Sequence, residues 1–383
     1  MTPHPNNVVT VMREAGYSLA DLLPAYPGRS EAYIDQVLRD CALALSRPVL
    51  PYGLLGIHPC RSRYFNVGQH GFRSVGSPQP WPPIGDRTNI FVFGGSTTVG
   101  FGVEDGQTVP AELRVFLAGE GLNCEVYNFA SGNYTSRHEA LRFLDLLDRD
   151  LVPDVAVFLD GYNECFYAFG NGALVRLLDS LYQEAKRRRR RSRLGAILDL
   201  PRASIARRER DPPRADTYVP EVIDEEAEAY VSEEGVRKAL ESGDRPLAAE
   251  ELTDTAGRIA TRVWQHYLDS RAMITEIARR RGIQVLFAWQ PVPFYATRKE
   301  QRVLDRLYYV YPFGAFCWPV YNWLSLRDFE SLADDPTFLD LSRVGASIDA
   351  VLYVDMCHYT ARFSRAIAEA LGRQLAMLAG SRA

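Results

Sequence analysis

At 383 residues, 46% of them hydrophobic and 24% charged, the chain is long enough to bury a sizeable core and reads as globular. A formal net charge of −4 supplies no global basic field, so nucleic acid is not an expected partner. No apolar run approaches the roughly 20 residues a membrane span needs.

The first residues, MTPHPNNVVTVMREAGYSLADLL, lack a basic region followed by an apolar core, so no signal peptide is expected and a cytoplasmic location follows. Helical patterns run from about Asn7 to Leu23 and from Ser30 to Leu45, the second with Ser30 as N-cap and Glu31 and Asp35 in its first turns. From Pro48 to Pro83 the chain is rich in proline, glycine and aromatics and includes HPCRSRYFNVGQHGFRS. So many large apolar groups predict an ordered arm laid on a core rather than a free linker. Residues 1–85 are therefore expected to form an N-terminal extension, and residues 86–383 the main domain.

The main domain opens on Asn89 to Gly102, NIFVFGGSTTVGFG. Ile90, Phe91, Val92 and Phe93 fit a strand covered on both faces, and Gly94 and Gly95 permit a sharp turn that presents Ser96 at its carboxyl end. In open parallel α/β sheets that edge is where ligands bind. Strand and helix then alternate: a helix from Val109 to Glu120, a strand from Glu125 to Phe129, a helix from His138 to Asp148 and a strand from Asp154 to Leu159. The strands end in GGST, ASGNY and DGYNE, and three such ends suggest one shared site.

A charged insertion interrupts the alternation over about residues 171–250. It contains the basic run Lys186 to Arg193 (KRRRRRSR) and a mainly acidic stretch from Glu221 to Glu251. A solvated insertion with partly self-compensating charge is the plain reading, and a lid over the site is the functional one. A helix from about Thr253 to Arg280, a strand from Gln284 to Trp289, a proline- and aromatic-rich loop to Leu341, the apolar run Val351 to Val354 and a helix from Arg362 to Leu378 complete the chain. The six cysteines are scattered without a CxxC pair, which favours reduced thiols over a disulfide framework or zinc site.

Ser96 alone is weak evidence, since a serine at a strand end commonly caps the next helix. Asp355 and His358, in VDMCH, change its weight: one turn can bring the carboxylate to Nδ1 of the imidazole and leave Nε2 as a general base. Gly132, in ASGNY, can offer a backbone N–H to an oxyanion, and Asn163, in DGYNE, its side-chain amide. A phosphate-binding loop is excluded at GGSTTVGFG because no Gly-Lys-Ser/Thr follows and Asp105 stands where a third glycine is needed. An α/β-hydrolase elbow fails because Thr98 occupies its last glycine position.

Together the blocks FGGST, ASGNY, DGYNE and VDMCH resemble those of the SGNH subgroup of the GDSL esterase and lipase superfamily, in order and over Asn89 to Leu378 apart from the insertion. The chain departs from that pattern twice: Gly95 stands where an Asp is common, and Glu164 where an Asp commonly follows the Asn. The resemblance implies a three-layer α/β/α flavodoxin-like sandwich around a parallel sheet of about five strands. It implies a triad of Ser96, His358 and Asp355, an oxyanion hole from Ser96, Gly132 and Asn163, and no metal or organic cofactor.

The expected activity is hydrolysis of a small acyl ester, acetyl above all, of a carbohydrate or secondary metabolite through an acyl-serine. O-acyl transfer and carbohydrate binding without turnover are the alternatives on the same fold. Tyr134, Tyr162, Glu164 and Trp289 are the candidate substrate contacts. Oligomeric state is not legible in the sequence.

Overall fold

The computed structural model describes residues 16–167, 253–304, 320–325 and 329–380. The charged insertion, with its basic run and its whole acidic stretch, lies outside them. The sheet has five strands, β1 (Thr88–Gly94), β2 (Cys124–Asn128), β3 (Val155–Asp160), β4 (Gln284–Trp289) and β5 (Phe338–Asp340). Their order is β2-β1-β3-β4-β5 and every pairing is parallel. This is the flavodoxin-like order, in which the chain leaves β1 and β3 in opposite directions and opens a crevice at their carboxyl ends.

Alternation along the buried strands sorts the side chains into two unlike faces. Ile90, Val92, Val126, Val157, Leu159 and Leu286 make an aliphatic face, covered by α3 (Val109–Gly119) and α7 (Ala361–Gly380). Phe91, Phe93, Tyr127, Phe158, Phe287 and Trp289 make an aromatic face, covered by α4 (Ser136–Leu147) and α6 (Thr253–Arg281). Further described helices include α1 (Glu31–Cys41) and two short ones at the site, α2 (Ser96–Val99) and α5 (Tyr162–Tyr167).

The arm forms a third core. Leu22, Ile34, Val37, Leu38 and Phe65 pack with Val99, Phe101 and Val354 from the carboxyl edge of the sheet. Ser30 caps α1 as its sequence predicts, accepting from the Tyr33 N–H at 3.3 Å. Two expectations need correction. Where the first predicted helix is described, residues Leu19–Ala25 form a 3-10 segment, into which Pro24 brings no N–H donor. The fifth strand lies within the segment read as loop: β5 is three residues long, too short to show a period in the sequence.

No described helix is long and apolar enough to cross a membrane. Among the described residues none of the five cysteines forms a disulfide.

Candidate active site

The serine turn is built from the end of β1. A Cβ added at Gly94 would run into the Thr98 side chain, so glycine is what lets α2 fold back onto the strand end. Ser96 is the first residue of α2, and Gly100, at φ 86°, ends it. A one-turn helix leaves its last carbonyls without partners. Arg73, in the GFRS segment of the arm, supplies them: Nη1 donates to the Val99 and Gly100 carbonyls at 2.7 and 2.6 Å, and Nη2 to that of Val103 at 2.7 Å. The buried Arg73 guanidinium also pairs with Asp105 at 2.9 Å. Thr97 Oγ1 donates to Gln290 Oε1 at 2.7 Å, and Asn128 Nδ2 to the Thr98 carbonyl at 3.0 Å. The turn is thus held on several sides. Ser96 Oγ, partly exposed, has no hydrogen-bond partner among the described residues.

The expected base, His358, stands on the loop before α7. His358 Nδ1 lies 2.7 Å from Asp355 Oδ2, while Asp355 Oδ1 accepts from the Cys357 and His358 N–H groups at 3.0 and 2.8 Å. The carboxylate therefore fixes its own loop and selects the tautomer that leaves Nε2 as acceptor. Burial disfavours charge on His358, yet the Asp355 carboxylate outweighs it and holds the imidazole well above its ordinary range. Burial likewise pushes Asp355 up, and the imidazole with the two backbone N–H groups brings it below the usual carboxylate value.

The expected oxyanion donors Gly132 and Asn163 follow the ends of β2 and β3. The Ser131 N–H donates to the Gly94 carbonyl at 3.1 Å, drawing the SGN segment against the serine turn. Ser96 and buried Gly132 both have backbone N–H groups with no acceptor among the described residues. Asn163 Nδ2 donates one hydrogen to the Tyr134 carbonyl at 2.6 Å, and an amide has a second to give. That nitrogen lies where a side chain at Gly95 would begin. Gly95 is thus the neighbour that admits the Asn163 amide beside Ser96.

Of the candidate substrate contacts, none offers an open surface. Trp289 is 0% exposed and belongs to the aromatic core, under Gly161. Tyr134 and Tyr162 are buried, their rings stacked on His138 and Phe166. Glu164 is buried and accepts from the Ser136 and Gly161 N–H groups at 2.6 and 2.7 Å, which ties the start of α4 to the turn before Asn163. Arg73, Gln290 and Phe101 are the site-building residues that sequence reading missed as such. Only the GFRS segment carried a signal.

Asp355, Cys357 and His358 are the one His/Cys/Asp/Glu cluster among the described residues with ligand atoms all within 4.8 Å. Both Asp355 oxygens are already engaged by N–H groups or the imidazole, so the cluster is built as an acid–base pair rather than a metal cradle.

In block order and sheet topology, the chain resembles the SGNH hydrolases. No family model matches it, and no curated protein does. Solved structures do. Est24, a carbohydrate acetylesterase from Sinorhizobium meliloti, is 12% identical over 76% of this chain and 100% of its own, with a TM-score of 0.37. The psychrotrophic esterase EstA from Pseudoalteromonas sp. is 9% identical over 76% and 99%, with a TM-score of 0.33. A variant of the esterase AlinE4 is 25% identical over 28% of this chain and 57% of its own, with a TM-score of 0.21.

Proposed function

We propose that the chain is a serine esterase of SGNH type acting on a small acyl ester, acetyl above all, of a carbohydrate or secondary metabolite. The observation that carries this reading is the 2.7 Å Asp355–His358 pair, joined through Phe101 to a serine turn whose neighbouring backbone N–H groups have no acceptor among the described residues. Ser96 Oγ attacks the ester carbonyl and passes its proton to His358 Nε2. The carbonyl oxygen takes the charge against the Ser96 and Gly132 N–H groups and the free Asn163 N–H. His358 then protonates the leaving alcohol, and water, activated by the same imidazole, releases the acyl group from Ser96.

A fluorophosphonate probe tests the assignment. The full chain is expected to be labelled and Ser96→Ala to be silent; labelling of that variant at the same rate would remove Ser96 as nucleophile. A chain-length series of acyl esters is expected to fall steeply beyond acetyl. Product analysis with sugar acceptors present distinguishes hydrolysis from transfer.

A further inference from the structure

Arg47 stands beside the site, its charge unanswered among the described residues. Its Nη1 donates to the Gly132 carbonyl at 2.8 Å, and Nη2 fills the place a side chain on Gly132 would take. The guanidinium therefore lies against the residue whose N–H is offered to the oxyanion. Among the described residues no carboxylate pairs with it. The contrast is Arg73, which is also inside the protein but meets a carboxylate and three carbonyls of the serine turn.

Burial works against charge on Arg47, and among the described residues the ionisable groups that favour it are the phenols of Tyr167 and Tyr134. A guanidinium carries five N–H donors, and one carbonyl leaves most of them unused. The side chain is only partly covered, so an incoming group can reach it. Tyr167, at the end of α5, is within electrostatic reach of both Arg47 and Cys357, the neighbour of His358. Keeping an unpaired cation there is costly unless a bound anion meets it.

We propose that Arg47 anchors an anionic group of the substrate, making the preferred esters those that carry a carboxylate or phosphate close to the scissile bond. This rests on the esterase reading of Ser96 and narrows it to a charge class.

The test compares kcat/KM of the full chain on matched acetyl esters. O-acetyllactate is set against neutral O-acetyllactamide, and acetylglycerol phosphate against acetylglycerol, the two pairs separating a carboxylate from a phosphate requirement. A preference of about 10- to 100-fold for at least one anionic ester is expected, the scale of a charge-assisted hydrogen bond. In Arg47→Gln that ratio should collapse toward one, and Arg47→Lys should keep part of it. A ratio near or below one in the wild type, an unchanged ratio in Arg47→Gln, or an equal loss on both members of a pair would overturn the inference. An equal loss would mean that Arg47 only holds the Gly132 carbonyl. If no ester turns over and the fluorophosphonate leaves Ser96 unlabelled, the esterase reading itself fails and takes this inference with it.

Discussion

Phe101 joins the serine turn to the histidine loop: its N–H donates to the Ser96 carbonyl at 3.3 Å, and its ring packs 5.0 Å, centroid to centroid, from the His358 imidazole. No hydrogen bond links Ser96 Oγ to His358 among the described residues. Their spacing is set by packing, and such bonds commonly tighten only when substrate binds. Phe101→Ala is expected to lower kcat about 10- to 100-fold with little change in fluorophosphonate access, because misplacement of reacting groups by about 1 Å has that cost. Steady-state kinetics with labelling rates would check it.

The Asp355–His358 pair sets a pH dependence. The imidazole is held well above its ordinary range, against burial, by Asp355. It must be neutral to act as base, so kcat/KM should rise with pH on a limb lying above about 6.5. Asp355→Asn removes the opposing charge and leaves burial to dominate. The limb should move to lower pH, and kcat should drop roughly 10³- to 10⁴-fold. For stability, the raised His358 value contributes fully below the unfolded histidine pKa and is lost as pH rises through the folded one. A pH–rate profile whose limb does not move in the variant would dissociate it from this pair.

Restoring the acidic residue common in the related first block is expected to harm this protein. Any side chain at position 95 begins inside contact distance of Asn163 Nδ2 and crowds the Tyr134 carbonyl. Gly95→Asp and Gly95→Ala should each lower kcat, toward the roughly 10²- to 10³-fold of a lost oxyanion donor, while circular dichroism stays native. Activity in Gly95→Asp equal to wild type would show that Asn163 moves aside freely.

Arg73 and Asp105 form a buried pair that also carries the carbonyls ending α2. Arg73→Met leaves the Asp105 charge without its cation and takes a donor from each of those carbonyls, although the Val103 N–H still reaches that of Gly100 at 3.3 Å. Breaking a buried pair from one side costs about 3–5 kcal/mol, which urea denaturation would resolve. Loss of esterase activity at temperatures where the variant remains folded would show that the clamp also orders the nucleophile.

Behind Asn163 lie three buried carboxyls, Glu139, Asp160 and Glu164. Burial comes first and mutual repulsion second in raising Glu139 and Asp160, neither of which receives a donor among the described residues; burial raises Glu164 against its backbone N–H bonds. The folded chain therefore binds more protons than the unfolded one above the ordinary carboxylate pKa, and stability falls as pH climbs through the raised values. Glu139→Gln is expected to be about 1–3 kcal/mol more stable at pH 8 and to show a shallower decline. Melting curves across pH 5 to 9 would measure both.

Much of this was legible because chemistry sits at strand ends, where sequence marks it. Gly94 before Ser96, the SGN segment and the Asp-x-x-His spacing are local patterns, and with Asn163 in DGYNE they name the five expected catalytic and oxyanion residues, of which Gly132, Asn163 and Asp355 are buried and Ser96 and His358 partly exposed. Trp289 was misread as a cleft residue although its parity with Val285 and Phe287 already assigns it to the aromatic face. The following residue, Gln290, emerges at the sheet edge to receive Thr97. Arg47 carries no local pattern, since its position beside Gly132 depends on how the arm is laid across the edge. The GFRS segment was visible, but its role was not, because a guanidinium that collects carbonyls from another loop leaves no spacing to read.

The arm's packing has an evolutionary consequence. Arg73 answers carbonyls of the serine turn, and Arg47 rests on Gly132, so two arginines of the arm complete structures that belong to the sheet. An exchange of arms between relatives would replace both at once, leaving a correctly folded sheet with its nucleophile turn unanchored. The two segments are therefore expected to change in concert, as a single heritable unit, even though nearly all of the recognisable motifs lie in only one of them.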